Sequence, residues 1–259
     1  MPTMTLGSTQ ATHNNREILT RLEQERSLTE KFCYGSGVVM LTGMAISNPI
    51  VTVGSLTTFG ISLRKLQKLS QLLMAGTAIV DAFEHEGVEI FPQIEVPNCQ
   101  PVDLFIRFFP SKEFLLISIR SLSGATVVYN EAIETLQVRR KNKGLKKWEA
   151  DPLSELSDQE LWLRKNRRDL FGGSSNDARR PLAKLLILTG ETKFRDHSDS
   201  LYREINDEKF FTVKKKGTIS IIADDQTVPF IRAYLAQRQQ AVVSQILFSD
   251  KRSISFAFR

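Results

Sequence analysis

The sequence predicts an α/β protein with a mixed sheet flanked by helices and preceded by further N-terminal helices. Three observations predict this class: apolar residues at helical spacing over 62–86, three short strand-type segments between 88 and 120, and alternating strand and helix patterns over 184–237. The 259 residues, 41% hydrophobic and 25% charged, have the composition of a globular protein. This composition excludes disordered, collagen-like and coiled-coil classes.

The two outer N-terminal elements are predicted to be helices. Ile18 and Leu22 lie at near-helical spacing within the charged segment 16–31. In 62–86 apolar residues recur every three or four positions, and Gly87 follows as a residue that ends helices.

The segment between these two helices carries no charge. Lys31 and Arg64 bracket it, and the turn signal Asn48-Pro49 divides it into two apolar halves. Each half is shorter than the roughly 20 apolar residues of a membrane span. One kinked span, a membrane hairpin and a pair of helices buried in protein therefore remain as alternatives. Basic residues on both sides would keep both ends cytoplasmic.

We therefore expect two domains. Residues 1–63 form an N-terminal helix and a charge-free hairpin, in which 32–63 is the candidate membrane contact. Residues 64–259 form the α/β domain.

Two cysteines, Cys33 and Cys99, are too few and too far apart for a disulfide scaffold or a thiolate zinc site.

Strand-type segments follow the helix over 62–86. Proline or serine ends each of the first three: 88–96 before Pro97, 102–109 before Pro110, and 114–120 before Ser121. Later elements are predicted as a helix over 127–138, a helix that opens at Ser157 with capping-box spacing and closes at Gly172-Gly173, strands over 184–188 and 218–223, and a helix over 228–237.

The basic excess of the chain lies in its middle. There are 35 Lys and Arg against 29 Asp and Glu, a net charge of +6, and a basic helical insertion at about 136–180 carries most of this excess. Basic side chains interleaved with tryptophan suit phosphate contact and base stacking. The alternative is a solvated face whose tryptophans pack in the core. The candidate nucleic-acid-binding residues are Arg139, Arg140, Lys141, Lys143, Lys146, Lys147, Trp148, Trp162, Arg164, Lys165, Arg167 and Arg168.

One arrangement of acidic and basic residues resembles a known family. Glu84 and Glu86 end the first long helix, Asp103 opens the second strand segment, and Ser118-Ile119-Arg120 closes the third. This order resembles the restriction-endonuclease-like PD-(D/E)xK superfamily, and within it the nuclease-related domain of membrane-tethered bacterial proteins. The resemblance covers roughly 64–135 and, more loosely, 184–237.

The resemblance implies a metal site with a degenerate third-strand motif. In the family, an acid on the second strand and an acid-x-lysine on the third bind metal and activate water. Here Ser118 replaces the acid and Arg120 the lysine; serine supplies no anionic ligand, and arginine stays protonated in a fixed fork. The implied catalytic candidates are Asp103, Glu95, Glu86 and Arg120, with Asp103 and Glu95 as ligands of Mg²⁺ if the chain is active. Asp103 equally suits a strand-edge aspartate that caps the turn after Pro101.

These observations predict a nucleic-acid-binding protein on a nuclease-like core with impaired catalysis, tethered to the cytoplasmic face of a membrane. DNA is favoured over RNA as the partner. Two alternatives stay open: an active divalent-metal-dependent endonuclease, and a membrane-associated scaffold or oligomer-forming protein.

Overall fold

The structure is a computed structural model that describes residues 6–109, 111–141, 143–195 and 197–256, with side chains between residues 14 and 241 of those ranges. Two N-terminal helices are followed by mixed sheets with flanking helices, so the predicted α/β class is confirmed. The chain divides into two units: unit 1 comprises 1–95 and 101–112, and unit 2 comprises 96–100 and 113–259.

Unit 1 consists of a long helical hairpin and an antiparallel strand pair. Its elements are α1 (Leu6–Ala45), α2 (Pro49–Phe83), β1 (Val88–Ile94) and β2 (Val102–Phe108). The Asn48 side chain caps α2 by accepting the amides of Ile50 and Val51 at 3.1 and 3.2 Å. The predicted turn at Asn48-Pro49 is thus confirmed, and the predicted domain boundary after residue 63 lies inside α2.

The core of unit 1 joins α1 and α2 to the strands. Asn15 on α1 is buried, donates to the Val88 carbonyl at 2.6 Å and accepts the Ile90 amide at 3.1 Å, so it satisfies backbone groups of β1. Phe83 packs edge-on against Phe108 with ring centroids 5.6 Å apart. Among the described residues, no helix combines the length and the mean hydropathy of a membrane span.

Unit 2 contains a mixed sheet with the strand order β3-β7-β11-β10-β9. Its strands are β3 (Glu113–Ser121), β7 (Leu182–Thr189), β9 (Tyr202–Ile205), β10 (Glu208–Lys214) and β11 (Thr218–Ala223). β7 pairs in parallel with both β3 and β11, and the other pairs are antiparallel. The apolar runs of β3 and β7 are buried throughout most of their length, as is typical of parallel strands.

The second sheet of unit 2 overturns one prediction. Its strands, in the order β6-β5-β4-β8, are β4 (Ala125–Asn130), β5 (Thr135–Arg140), β6 (Leu145–Lys147) and β8 (Lys193–Phe194). The helix predicted over 127–138 is therefore wrong. Alternate residues of β4 are buried, and β-branched valines pack well on such a pleated face. The predicted basic helical insertion at 136–180 is accordingly wrong in its first part, which is strand.

Two further helices complete unit 2. α3 runs over Pro152–Asn166 and α4 over Thr227–Phe256. The prediction that α3 opens at Ser157 is wrong, because the Asp151 side chain caps the helix by accepting the Leu153 amide at 3.1 Å. The prediction that Gly172-Gly173 closes this helix is also wrong, because α3 ends at Asn166; Gly172 instead ends the separate 3₁₀ turn Arg168–Phe171 in the left-handed conformation.

A buried carboxylate anchors α4 to β3. Glu113, which is 6% exposed, accepts hydrogen bonds from Tyr234 Oη at 3.1 Å and from Arg238 Nε at 3.0 Å. Burial, and after it the Glu113 charge, raises the pKa of Tyr234 well above that of a free phenol.

This raised pKa predicts a loss of stability in alkali. The unfolded phenol loses its proton near pH 10, whereas the folded protein retains it, so above about pH 10 the unfolded state binds fewer protons. The free energy of unfolding therefore falls with rising pH by at most about 1.4 kcal/mol per unit from this group. Tyr234→Phe should cost about 1 kcal/mol at neutral pH and remove that slope. Urea denaturation at about pH 8 and about pH 11 measures both effects. If the free energy of unfolding changes equally with pH in the parent chain and in Tyr234→Phe, the prediction is contradicted.

Candidate nucleic-acid interface

Residues 139–148, here called the basic hairpin, comprise the end of β5, the following turn, β6 and Trp148. The Lys143 amide donates to the Arg140 carbonyl at 3.0 Å and closes the turn. Arg139 pairs with Leu145 across the ladder, and Trp148 continues it by donating its amide to the Leu136 carbonyl at 3.0 Å. The sheet therefore holds the cationic residues on a short ribbon with a defined register.

Part of the basic hairpin lines a cleft of about 420 Å³. Four cations and one aromatic ring of the predicted set contribute to it: Arg140, Lys143, Lys146, Lys147 and Trp148. Trp148 is half-buried, whereas the four cations are exposed. The structure thus brings these predicted residues to one concave surface, which the cations share with an indole ring.

The basic hairpin carries an excess of positive charge: among the described residues that line its cleft, Glu149 is the one acid. Its cations are exposed, and none of them forms an ion pair with a described residue: Arg139, Arg140, Lys141, Lys143, Lys146 and Lys147. Like charges this close repel one another, and the repulsion is relieved when an anionic partner binds.

Two candidates on and after α3 are engaged within unit 2. The Arg164 guanidinium pairs with Glu160 at 2.8 Å, donates to the Ala178 carbonyl and lies 5.4 Å from the centre of the Phe171 ring. Arg167 pairs with Asp169 at 2.9 Å. A hydrogen bond from Arg167 holds the pKa of Asp169 below its usual value, and the same bond raises the pKa of Arg167.

The other candidates in this part of the chain are exposed or half-buried. Lys165 and Arg168 are exposed, and Trp162 is half-buried on α3. None of the candidates from Trp162 to Arg168 is among the described residues that line the cleft. The five cleft residues of the basic hairpin are therefore the part of the predicted set that the structure brings together.

The catalytic candidates are distributed over both units. In unit 1, Asp103 is 5% exposed and its carboxylate lies 2.6 Å from Lys68 Nζ, while Glu86 and Glu95 are exposed. In unit 2, Arg120 Nη2 lies 2.7 Å from the Glu155 carboxylate and so links β3 to α3.

These residues do not fit the divalent ion that the nuclease resemblance implies. Mg²⁺ binds one or two free carboxylates together with water and substrate oxygens. At Asp103 the ammonium of Lys68 already neutralises the charge that a cation would use. Ser118 is buried and offers a hydroxyl instead of an anion. Within the described ranges, no group of three His, Cys, Asp or Glu side chains is placed to hold a metal ion.

One buried ionic residue has no predicted role. Lys184 on β7 is 3% exposed, and its ammonium contacts Glu160 Oε2 at 2.8 Å, the Lys216 carbonyl at 2.9 Å and Ser157 Oγ at 3.3 Å. It joins β7, α3 and the β10–β11 turn. The available signal was a lysine next to four consecutive apolar residues, since a buried lysine needs a partner.

No protein-family model, curated protein or solved structure matches this chain. The resemblance to the restriction-endonuclease-like superfamily stays a prediction.

Proposed function

We propose that this protein binds nucleic acid through the basic hairpin and that its nuclease-like core is impaired in catalysis. One observation carries the binding proposal: six exposed cations without an ion pair among the described residues lie on one short ribbon. Four of them line a cleft beside Trp148. The pairing of Asp103 with Lys68 supports impaired catalysis.

The chemistry of the cleft suits a polyanion. Lysine and arginine that contact phosphates release condensed counterions, and this release supplies most of the affinity of non-specific complexes. A half-buried indole beside these cations provides a ring on which a base can stack. We propose DNA as the favoured partner, with RNA as the comparison.

We further propose that binding takes place at the cytoplasmic face of a membrane. This part of the proposal is supported by Lys31 and Arg64, which are exposed at the two ends of the charge-free segment and would both be retained on the cytoplasmic side.

A salt series tests the binding proposal. If four phosphates are neutralised, the association constant for duplex DNA should fall about a hundredfold when the salt concentration rises fourfold. The double variant Arg140→Glu/Lys146→Glu should weaken binding at least about tenfold and flatten the salt dependence by about two charges. Fluorescence anisotropy with labelled duplex DNA, single-stranded DNA and single-stranded RNA measures both quantities.

The matched control is Lys209→Glu, which reverses an exposed lysine on β10 in the other sheet of unit 2. It should change affinity much less than the double variant. Affinity that does not change with salt would reject the basic hairpin as the binding surface. An equal loss of affinity in the control and in the double variant would reject it as well.

A further inference from the structure

The charge-free end of the helical hairpin, residues 32–63 and here called the hairpin tip, exposes many large apolar side chains. Ile50 is 84% exposed and Phe32 is 60% exposed. The other exposed large apolar residues of the hairpin tip are Tyr34, Val38, Val39, Leu41, Met44, Ile46, Val53, Leu56, Ile61 and Leu63. Contiguous exposed apolar surface of this kind marks an interaction site.

The exposed apolar residues do not lie on a single face. On α1, Tyr34, Val38 and Leu41 form one stripe, and Phe32 and Val39 lie about 150° further around the helix at 3.6 residues per turn. No charged residue lies on any side of the hairpin tip. A second copy of the chain would cover one face and leave an uncharged apolar face in water. Helices that are apolar all round are surrounded by protein core or by lipid, so the pattern favours lipid.

Seven of the nine side-chain hydroxyls of the hairpin tip are satisfied within their own helices. Each donates to a backbone carbonyl three or four residues earlier, at 2.7 to 3.0 Å. The donors are Ser36, Thr42, Thr52, Ser55, Thr57, Thr58 and Ser62. Because no donor among these hydroxyls needs water, these polar residues can enter an apolar medium at low cost.

The backbone amides at the turn are satisfied as well. The amides of Ile46, Ser47 and Asn48 donate to carbonyls at the end of α1, and the Asn48 side chain accepts the first two amides of α2. Pro49 has no amide to satisfy. Hydrocarbon requires such internal pairing, since each unsatisfied backbone group costs several kcal/mol there.

The hairpin tip is too short to cross a bilayer. The charge-free parts of α1 and α2 contain 14 and 15 residues (32–45 and 49–63) and are each about 22 Å long at 1.5 Å per residue. The whole hydrocarbon core is about 30 Å thick and one leaflet about 15 Å, so a helix of this length fits within one leaflet when it is tilted and does not reach the opposite headgroups. Exposed Lys31 and Arg64 lie at the base of this segment, where anionic headgroups attract cations.

We propose that the hairpin tip inserts into one leaflet of a membrane that contains anionic phospholipid, without crossing it. Lys31 and Arg64 then lie at the headgroups. An apolar groove of about 580 Å³ between the helices, lined by Phe32, Val39 and Ile50 among others, faces the acyl chains. This inference deepens the membrane part of the proposed function and does not depend on nucleic-acid binding.

Vesicle flotation of the full chain tests the inference. The chain should float with vesicles of phosphatidylcholine containing 30% phosphatidylglycerol, more weakly with pure phosphatidylcholine, and should remain bound in about 1 M salt, which screens surface charge. Ile50→Glu places a charge in hydrocarbon and should reduce partitioning about a hundredfold. The matched control is Met74→Glu, an exposed apolar residue of α2 outside the hairpin tip, which should float like the parent chain.

Four results would overturn the inference, and a fifth would uphold it. An absence of flotation, or equal flotation of the Ile50→Glu and Met74→Glu variants, would exclude insertion of the hairpin tip. A third result is that the chain binds only anionic vesicles and loses this binding in salt and in the Arg140→Glu/Lys146→Glu variant. That result would assign membrane contact to the basic hairpin. A dimer in solution that Ile50→Glu dissociates, without flotation, would assign the surface to a second copy of the chain. Flotation that survives Arg140→Glu/Lys146→Glu, with nucleic-acid binding lost, would uphold insertion independently.

Discussion

Glu160→Gln is expected to lower the free energy of unfolding by about 3 to 5 kcal/mol. Glutamine keeps the size of the side chain but removes the carboxylate that lies 2.8 Å from the ammonium of Lys184. Lys184 is 3% exposed and cannot recover its hydration, so the substitution leaves a buried cation with only neutral partners among the described residues. Arg164 loses the same partner, although its guanidinium is more exposed. Urea denaturation of the full chain measures the loss.

Lys184→Met is the matched control because it removes the buried charge and retains an unbranched side chain. Glu160 keeps its contact with Arg164 at 2.8 Å, so this variant should lose no more than about 1.5 kcal/mol. The double variant should be more stable than Glu160→Gln alone, since the unpaired cation is gone. If Lys184→Met costs as much as Glu160→Gln, the unpaired buried charge is not the cause of the loss.

Gly87→Ala is expected to destabilise unit 1 by at least about 3 kcal/mol. Gly87 has a φ of 70°, in the left-handed region that costs a side chain about 1 to 2 kcal/mol. A Cβ atom there would also clash with the Phe109 carbonyl oxygen. The Phe109 amide donates to the Gly87 carbonyl at 3.0 Å. A shift of Phe109 that relieves the clash would therefore weaken this hydrogen bond at the end of the β1–β2 pair.

Gly124→Ala separates the cost of the left-handed backbone from the cost of the clash. Gly124 has a φ of 62°, but a Cβ atom there meets nothing within 4 Å. The free energy of unfolding of this variant should therefore fall only by the backbone penalty of about 1 to 2 kcal/mol. Thermal and urea denaturation of the two variants decide the matter, and equal losses would show that the close approach of Phe109 does not contribute.

Local signals predicted the elements that have strong boundaries. The segment 218–223 matches β11 at both ends, and Gly87 and Asn48-Pro49 end and separate helices as expected. Asp151-Pro152, an N-cap residue followed by proline, is a stronger start signal than the capping-box spacing at Ser157. The short valine-rich segment at 127 fits both helical and strand periods, and its cross-strand partners decided between them, as in Val127 opposite Val138.

The candidate site was predictable only in its charge. The sequence shows that cations cluster near residues 139–147, but it cannot show which cations already have partners. Arg164 and Arg140 look alike in the sequence, yet Arg164 is bound by Glu160 and the Ala178 carbonyl, whereas Arg140 lines the cleft. Asp103 likewise has the type and position of a metal ligand, and only the approach of Lys68 from α2 reveals an ion pair. Such pairings depend on the tertiary fold.

The parallel pairing of β3 with β7 has a consequence for synthesis of the chain. Phe114 lies opposite Leu182, which leaves the ribosome almost seventy positions later, several seconds at roughly 5 to 20 residues per second. During that interval the apolar residues of β3 lack the neighbour that buries them in unit 2. Nascent β3 is therefore a segment to which a holdase chaperone would bind, and slowing elongation between the two strands should raise the aggregated fraction.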